Sequence, residues 1–285
     1  MAKLLRRNGS PIGAQITLIA GNQLPFRVSG LGPNKRHLAF RSGDSALRIL
    51  PLKVNDRDIE QQLKIEVSET GIVSRRVVHV DAYIYGTTQR DPNTARLTVE
   101  VLPRLELPDA GTEAGILARM LVVENRPPSH RKFTSHADVL EAMQWMVHVL
   151  RNRLNLGPEH FSARGATTLT NLIKGRNQVE GFEKYPIIAF DPNERLQEAL
   201  GIANDGTDNR HSAQRLFLKN VVAVATGEMP GTDPCPTRLY AWRAEESASP
   251  GNNFEKFQSK GGQDFYTLTR TFLNDAKSRN AKQRP

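Results

Sequence analysis

Cysteine is the scarcest chemistry in this 285-residue chain: Cys235 is alone. A single thiol excludes an intramolecular disulfide framework and any multi-cysteine zinc site, and it fits synthesis in a reducing cytosol. As a nucleophile Cys235 would need a histidine partner, and the sequence places none beside it. No run of roughly eighteen apolar residues occurs, so no transmembrane segment is expected. There is no H-E-x-x-H: the histidines at 130, 136, 148, 160 and 211 do not pair with a glutamate at helical spacing, and zinc chemistry would need long-range assembly. No phosphate-cradling G-x-x-x-x-G-K-[ST] loop, internal repeat or low-complexity tract is present. The expectation is therefore no metal and no cofactor. Acidic residues are in deficit, 30 against 39 Lys and Arg, and the net charge of +9 draws the chain toward polyanions. The basic residues are scattered, with a mild cluster only in the tail SRNAKQRP, so nucleic acid is not the expected partner.

What is present changes character once. Residues 1 to about 107 carry short period-two segments: 14–20, 24–30, 46–54, 61–69, 73–86 and 95–102. Leu63, Ile65 and Val67, then Leu97, Val99 and Val101, alternate with polar neighbours as half-buried strands do. Turn residues punctuate them at Gly32-Pro33-Asn34, Asn55-Asp56, Glu69-Thr70-Gly71 and Asp91-Pro92-Asn93. The spacing predicts an all-β antiparallel, sandwich-like module. The basic, interrupted N-terminus reads as a first strand and not as a Sec signal peptide. After the link at 102–113 the pattern turns helical, with helices expected from Thr112, from Ser135, near 167–174, 193–203 and 211–226, and over 268–278. Ser135 followed by Asp138 resembles a capping box. Strand-like pieces fall at 237–242 and 264–269. Residues 108–285 are thus expected to form a mainly α, α+β domain.

Within the first of these helices, Ile116, Leu117, Met120 and Leu121 make an apolar face that Glu124 extends, just before Arg126-Pro127-Pro128 stops the helix. A carboxyl so placed is desolvated, keeps its proton near neutrality, and suits protonation of a glycosidic oxygen. The alternative is a helix-end glutamate that reaches water or pairs with Arg126. Tyr185, Tyr240 and Trp242 are either core residues or the aromatics of a sugar groove.

The order of motifs in residues 112–268 resembles the SleB-like, spore-cortex-lytic type of cell-wall hydrolases. GILARMLVVENRP is similar to that family's opening helix, LARxVYxEARGE, and places Glu124 on its catalytic glutamate. VLRNRL is similar to VLNRV, with Asn152 and Arg153 in place. RNQVEGFEKYP stands for the PGQF segment, keeping Gln178 and offering Phe182 for its phenylalanine. AVATGEMPGTDPCPTRLYAW follows GxxDPTxGAxYF through Gly227, Asp233, Pro234 and Tyr240, and QDFYTL matches the closing HxFY through Phe265 and Tyr266. The chain departs where ENRPP replaces EARGE and where Asp264 stands in place of the histidine.

The resemblance implies a lysozyme-like domain that cuts peptidoglycan glycan strands, as a lytic transglycosylase or a muramidase. Glu124 would be the acid, and Gln178, Phe182, Tyr185, Tyr240, Tyr266 and Asn152 would bind substrate. Glu180 and Glu183 are the nearest second carboxylates; since neither is compelling, a single-acid transglycosylase is favoured. With no signal peptide in view, the expectation is a protein made in the cytoplasm and exported by a non-Sec route to the periplasm of target cells. That fits a type VI secretion effector with a cognate immunity protein, its β-rich domain bound by the secretion apparatus. The alternatives are a phage-associated lysin or an inactive wall-binding protein.

Overall fold

The computed structural model describes residues 2–31, 37–53 and 61–282. Alternation in the first half becomes two four-stranded sheets. In one, β1 (Lys3–Arg6), β3 (Gln23–Ser29), β6 (Gln61–Val67) and β5 (Leu47–Lys53) pair in that order, antiparallel throughout. In the other the order is β2 (Gln15–Ile19), β8 (Leu97–Leu102), β7 (Arg76–Ile84) and β4 (Leu38–Ser42). Phe26, Val28 and Ile65 from the first sheet and Leu18, Val80 and Val99 from the second share one apolar cluster, as the facing layers of a sandwich do.

One part of the expectation needs correcting: β2 and β8 run parallel, from Gln15 beside Thr98 to Ile19 beside Leu102. Period-two alternation reports which face is buried and carries nothing about the neighbour's direction. A parallel pair needs only a long connection, which the intervening strands supply. The N-terminal stretch holds two strands where one was expected, β1 and β2, with a bridge between Leu5 and Pro11 leading from one to the other. β4 was not predicted either. The turns expected at Gly32-Pro33-Asn34 and Asn55-Asp56 lie outside the described residues.

Contacts divide the chain into a first unit ending at Leu105, which also takes Asn204–His211, and a second made of Glu106–Ala203 and Ser212–Pro285. The sequence reading set its boundary near 107 and kept the Asn204–His211 segment with the helices. Asn204 explains the attachment: its amide oxygen accepts from Leu105 N at 2.8 Å and its amide nitrogen donates to Leu105 O at 2.9 Å. Its own carbonyl accepts from Asn22 Nδ2.

In the second unit α1 (Glu113–Glu124) packs against α2 (His136–Leu156), α3 (Leu169–Ile173) and α4 (Phe190–Ala203). α5 (His211–Thr226) and α6 (Arg270–Lys282) complete the helices. A small antiparallel sheet, ordered β10 (Phe254–Lys260), β11 (Gln263–Leu268), β9 (Ala241–Ala244), follows α5 in the chain. β10 lies outside the predicted strands. α1 is buried almost all round, with Ile116, Leu117, Ala118, Met120, Leu121 and Val122 each at most 3% exposed. It is a core helix and not the one-faced helix its spacing suggested. Thr112 caps it by accepting from Gly115 N at 3.0 Å. Ser135 caps α2, accepting from Asp138 N at 3.0 Å and donating to the Asp138 carboxylate at 2.8 Å. Trp145 of α2 meets Phe265 of β11 edge to face, 5.1 Å between centroids, which fixes the helix on the sheet. No helix among the described residues is long and apolar enough to cross a membrane.

Candidate active site

Glu124, the last residue of α1, lines a pocket of about 750 Å³ in the second unit. Gln178, Glu180 and Glu183 line that pocket from the loop before α4, and Arg195 from α4 itself. Arg153 of α2 and Trp242 and Arg243 of β9 line it too. Glu124 Oε2 accepts from Trp242 Nε1 at 2.9 Å, and the Glu124 carbonyl accepts from Gln263 Nε2 at 2.7 Å. The side chain is therefore oriented by a ring and its backbone by a strand. Arg126, the partner considered from sequence, instead reaches Glu245 at 3.4 Å.

Burial raises the Glu124 carboxyl above its ordinary 4.5. The Trp242 hydrogen bond and the positive charge of Arg195 act against this, the negative charge of Glu180 adds to it, and burial outweighs the rest. A carboxyl pushed toward its protonated form beside open space can deliver a proton to a leaving oxygen.

Asn152 and Arg153, adjacent near the end of α2, hold the strand that carries Trp242. Asn152 Nδ2 donates to Leu239 O at 2.9 Å and to Asp233 Oδ2 at 2.7 Å. Arg153 Nε donates to Tyr240 O at 2.7 Å, and Nη1 to Gln178 Oε1 at 2.9 Å. Gln178 in turn donates to Phe161 O at 2.6 Å. Asn152 is 3% exposed and does not line the pocket, so its place is in positioning and not in substrate contact.

The aromatics need correction. Tyr240 and Tyr266 are each 4% exposed, and neither lines the pocket. Tyr240 stacks on Phe161 with 5.8 Å between centroids. Phe182, fully buried, stacks on Tyr185 at 5.9 Å, and the Tyr185 hydroxyl donates to Ala110 O. Of the residues the sequence reading offered, Trp242, Glu180 and Glu183 line the pocket, while Tyr240 and Phe182 do not. Arg195 and Arg243, which no motif picked out, complete the wall. Among the described residues no group of three or more His, Cys, Asp and Glu could hold a metal ion.

Removing the Trp242 donor isolates its effect. Trp242→Phe keeps a ring and loses the hydrogen bond that favours the Glu124 carboxylate, so the Glu124 pKa should climb further. The alkaline limb of the activity profile is expected to move to higher pH, with kcat lowered about tenfold as the carboxyl loses its orientation. An unmoved alkaline limb would mean that Trp242 does not tune Glu124.

No family model matches this chain, and neither does any curated protein. Among solved structures, a chimeric titin Z1Z2 functionalized with an exogenous peptide from decorin is similar at 12% identity, covering 32% of this chain and 88% of that one with a TM-score of 0.20. At that score the likeness carries no argument about fold or function.

Proposed function

We propose that the second unit is a lysozyme-like, SleB-like enzyme that cleaves the glycan strand of peptidoglycan, with Glu124 as general acid. One observation carries the reading: a carboxyl pushed toward its protonated form ends a core helix, is oriented by Trp242, and opens into a pocket large enough for sugar rings. The motif matches in family order support it, and two of them, Asn152 with Arg153 and Gln178, are hydrogen-bonded around the same pocket. The Trp242 indole and the arginine side chains that line the pocket suit a polar, partly anionic glycan. In this reading the protein acts in the periplasm of target cells as an exported effector opposed by an immunity protein, and the β-rich unit serves loading or wall binding.

A digest of purified sacculi, with products identified by mass spectrometry, tests both the activity and its route. Glu124 alone has the acid's environment, so attack by the sugar's own 6-hydroxyl and 1,6-anhydromuramyl ends are expected. Glu180→Gln should then keep activity within about threefold. Glu180 and Glu183 line the same pocket, which favours one second reading: a muramidase whose water is activated by Glu180. Reducing ends only, together with a Glu180→Gln loss of a hundredfold or more, would replace the first route by the second. Intact sacculi after prolonged digestion would end the proposal.

A further inference from the structure

Three arginines, Arg153, Arg195 and Arg243, line the Glu124 pocket, yet among the described residues none of them forms an ion pair. Arg195 is engaged by the Val123 carbonyl at 3.1 Å. Arg153 is the unusual one. Its guanidinium is half-buried, 5.3 Å from the Phe161 ring centroid and 5.9 Å from that of Trp242. Its two hydrogen bonds go to neutral acceptors, Tyr240 O and Gln178 Oε1. A guanidinium has five N–H donors in a rigid plane, so most of this one's hydrogen-bonding capacity is uncommitted while its ring contacts and two anchors hold the plane still. The exposed Arg243 lies close enough to repel it. Burial first, and Arg243 second, pull Arg153 down to about 10, so it keeps its charge at neutral pH. Two arginines on the wall of one pocket, one of them half-buried and hydrogen-bonded only to neutral acceptors, form a site complementary to an oxyanion.

We infer that Arg153 and Arg243 form a carboxylate-binding subsite beside the Glu124 acid. The inference rests on the glycan reading for the identity of the anion: a peptidoglycan strand carries carboxylates on its lactyl group or on the attached peptide, whereas a neutral glycan such as chitin carries none. The subsite would thus select muramyl strands over neutral ones and set which side of the sugar faces Glu124. Glu180 and Glu183 lie on the same pocket but outside ion-pair distance of either arginine, and both are exposed, so they leave the subsite open.

Binding to the intact wild-type chain tests this without any cleavage. The probes are N-acetylmuramic acid, with its carboxylate on the sugar; muramyl dipeptide, with its carboxylate on the peptide; and the amide of each, which is neutral. At low salt at least one acid is expected to bind about tenfold more tightly than its amide, the size of one charge-assisted contact. The pair that shows the preference identifies the source of the carboxylate. Arg243→Gln, at an exposed position, should fold normally and abolish that preference. Arg153→Lys, which keeps charge but loses the planar fork, should weaken the preference severalfold. Equal affinity for acids and amides, or a preference that survives Arg243→Gln, overturns the subsite. Failure of the glycan reading looks different: chitotetraose does not bind and sacculi stay intact, whatever the acids do. If no probe binds, both fall.

Discussion

Glu124→Gln should lose a hundred- to ten-thousandfold in turnover on sacculi while remaining folded and still binding the wall. The substitution keeps the size of the side chain and an oxygen that can accept from Trp242 Nε1, the bond now 2.9 Å long. What it removes is the proton. The same change should alter stability with a definite sign. Burial holds the folded-state pKa of Glu124 above the 4.5 expected of an ordinary glutamate. Below the unfolded value the group is protonated in both states and does not penalise folding. As pH rises past that value, the folded state must retain a proton the unfolded chain releases, and stability is lost up through the folded pKa. Glutamine does not ionise. Thermal melts of Glu124→Gln and wild type should therefore coincide near pH 4 and separate in favour of the variant toward pH 8. A merely structural glutamate, stabilised by its contacts, would give the opposite order at pH 8. A variant that still digests sacculi at near the original rate would remove Glu124 from the mechanism.

Why Glu124 was legible in the sequence, and Arg243 was not, is a matter of what each pattern encodes. α1 has a cap at Thr112, a stop at Arg126-Pro127-Pro128 and a dense apolar run between, and these are local signals. The carboxyl's burial followed from them, although for a different reason than the spacing suggested: α1 is enclosed on nearly all sides, and its end is where the enclosure opens. Asn152, Arg153 and Gln178 were found through motif order, which says that positions matter without saying how. Their use in clamping Leu239, Tyr240 and Phe161 backbone carbonyls is a long-range fact. The aromatics went astray for a simple geometric reason. Tyr240 and Trp242 are two positions apart, a spacing that puts both on one face of a strand, so alternation alone did not say that Tyr240 stacks on Phe161 while Trp242 lines the pocket. Short strands such as β1, β4 and β10 escaped because four to seven residues without clean alternation carry too little pattern. The parallel pairing of β2 with β8 and the adoption of Asn204–His211 by the first unit are properties of the folded chain alone.

Gly115→Ala should be the most destabilising methyl that can be added to the second unit's core, at roughly 3 kcal/mol or more. Helix propensity argues the other way, since alanine in place of a helical glycine is worth about 0.5–1 kcal/mol. Sterics decide. A Cβ on Gly115 would lie 1.9 Å from the Asp109 carbonyl oxygen and 2.7 Å from its carbon, distances no real contact shows. Those are backbone atoms, and they cannot swing aside. The Asp109 carbonyl is fixed because it accepts from Thr112 N at 3.0 Å and from Thr112 Oγ1 at 2.7 Å, while Thr112 Oγ1 accepts from Gly115 N. Relief of the clash must therefore break the turn that caps α1, the helix that ends in Glu124. Gly201→Ala in α4 is the matched control: its Cβ would meet nothing within 4 Å, so propensity acts alone and a gain of about 0.5–1 kcal/mol is expected. Urea denaturation of the two variants should thus move the midpoint in opposite directions. A Gly115→Ala protein as stable as wild type would mean that residues 109–112 relax without uncapping α1. The placement of Glu124 would then rest on the packing of α1 against α2, α3 and α4 and not on its N-terminal turn.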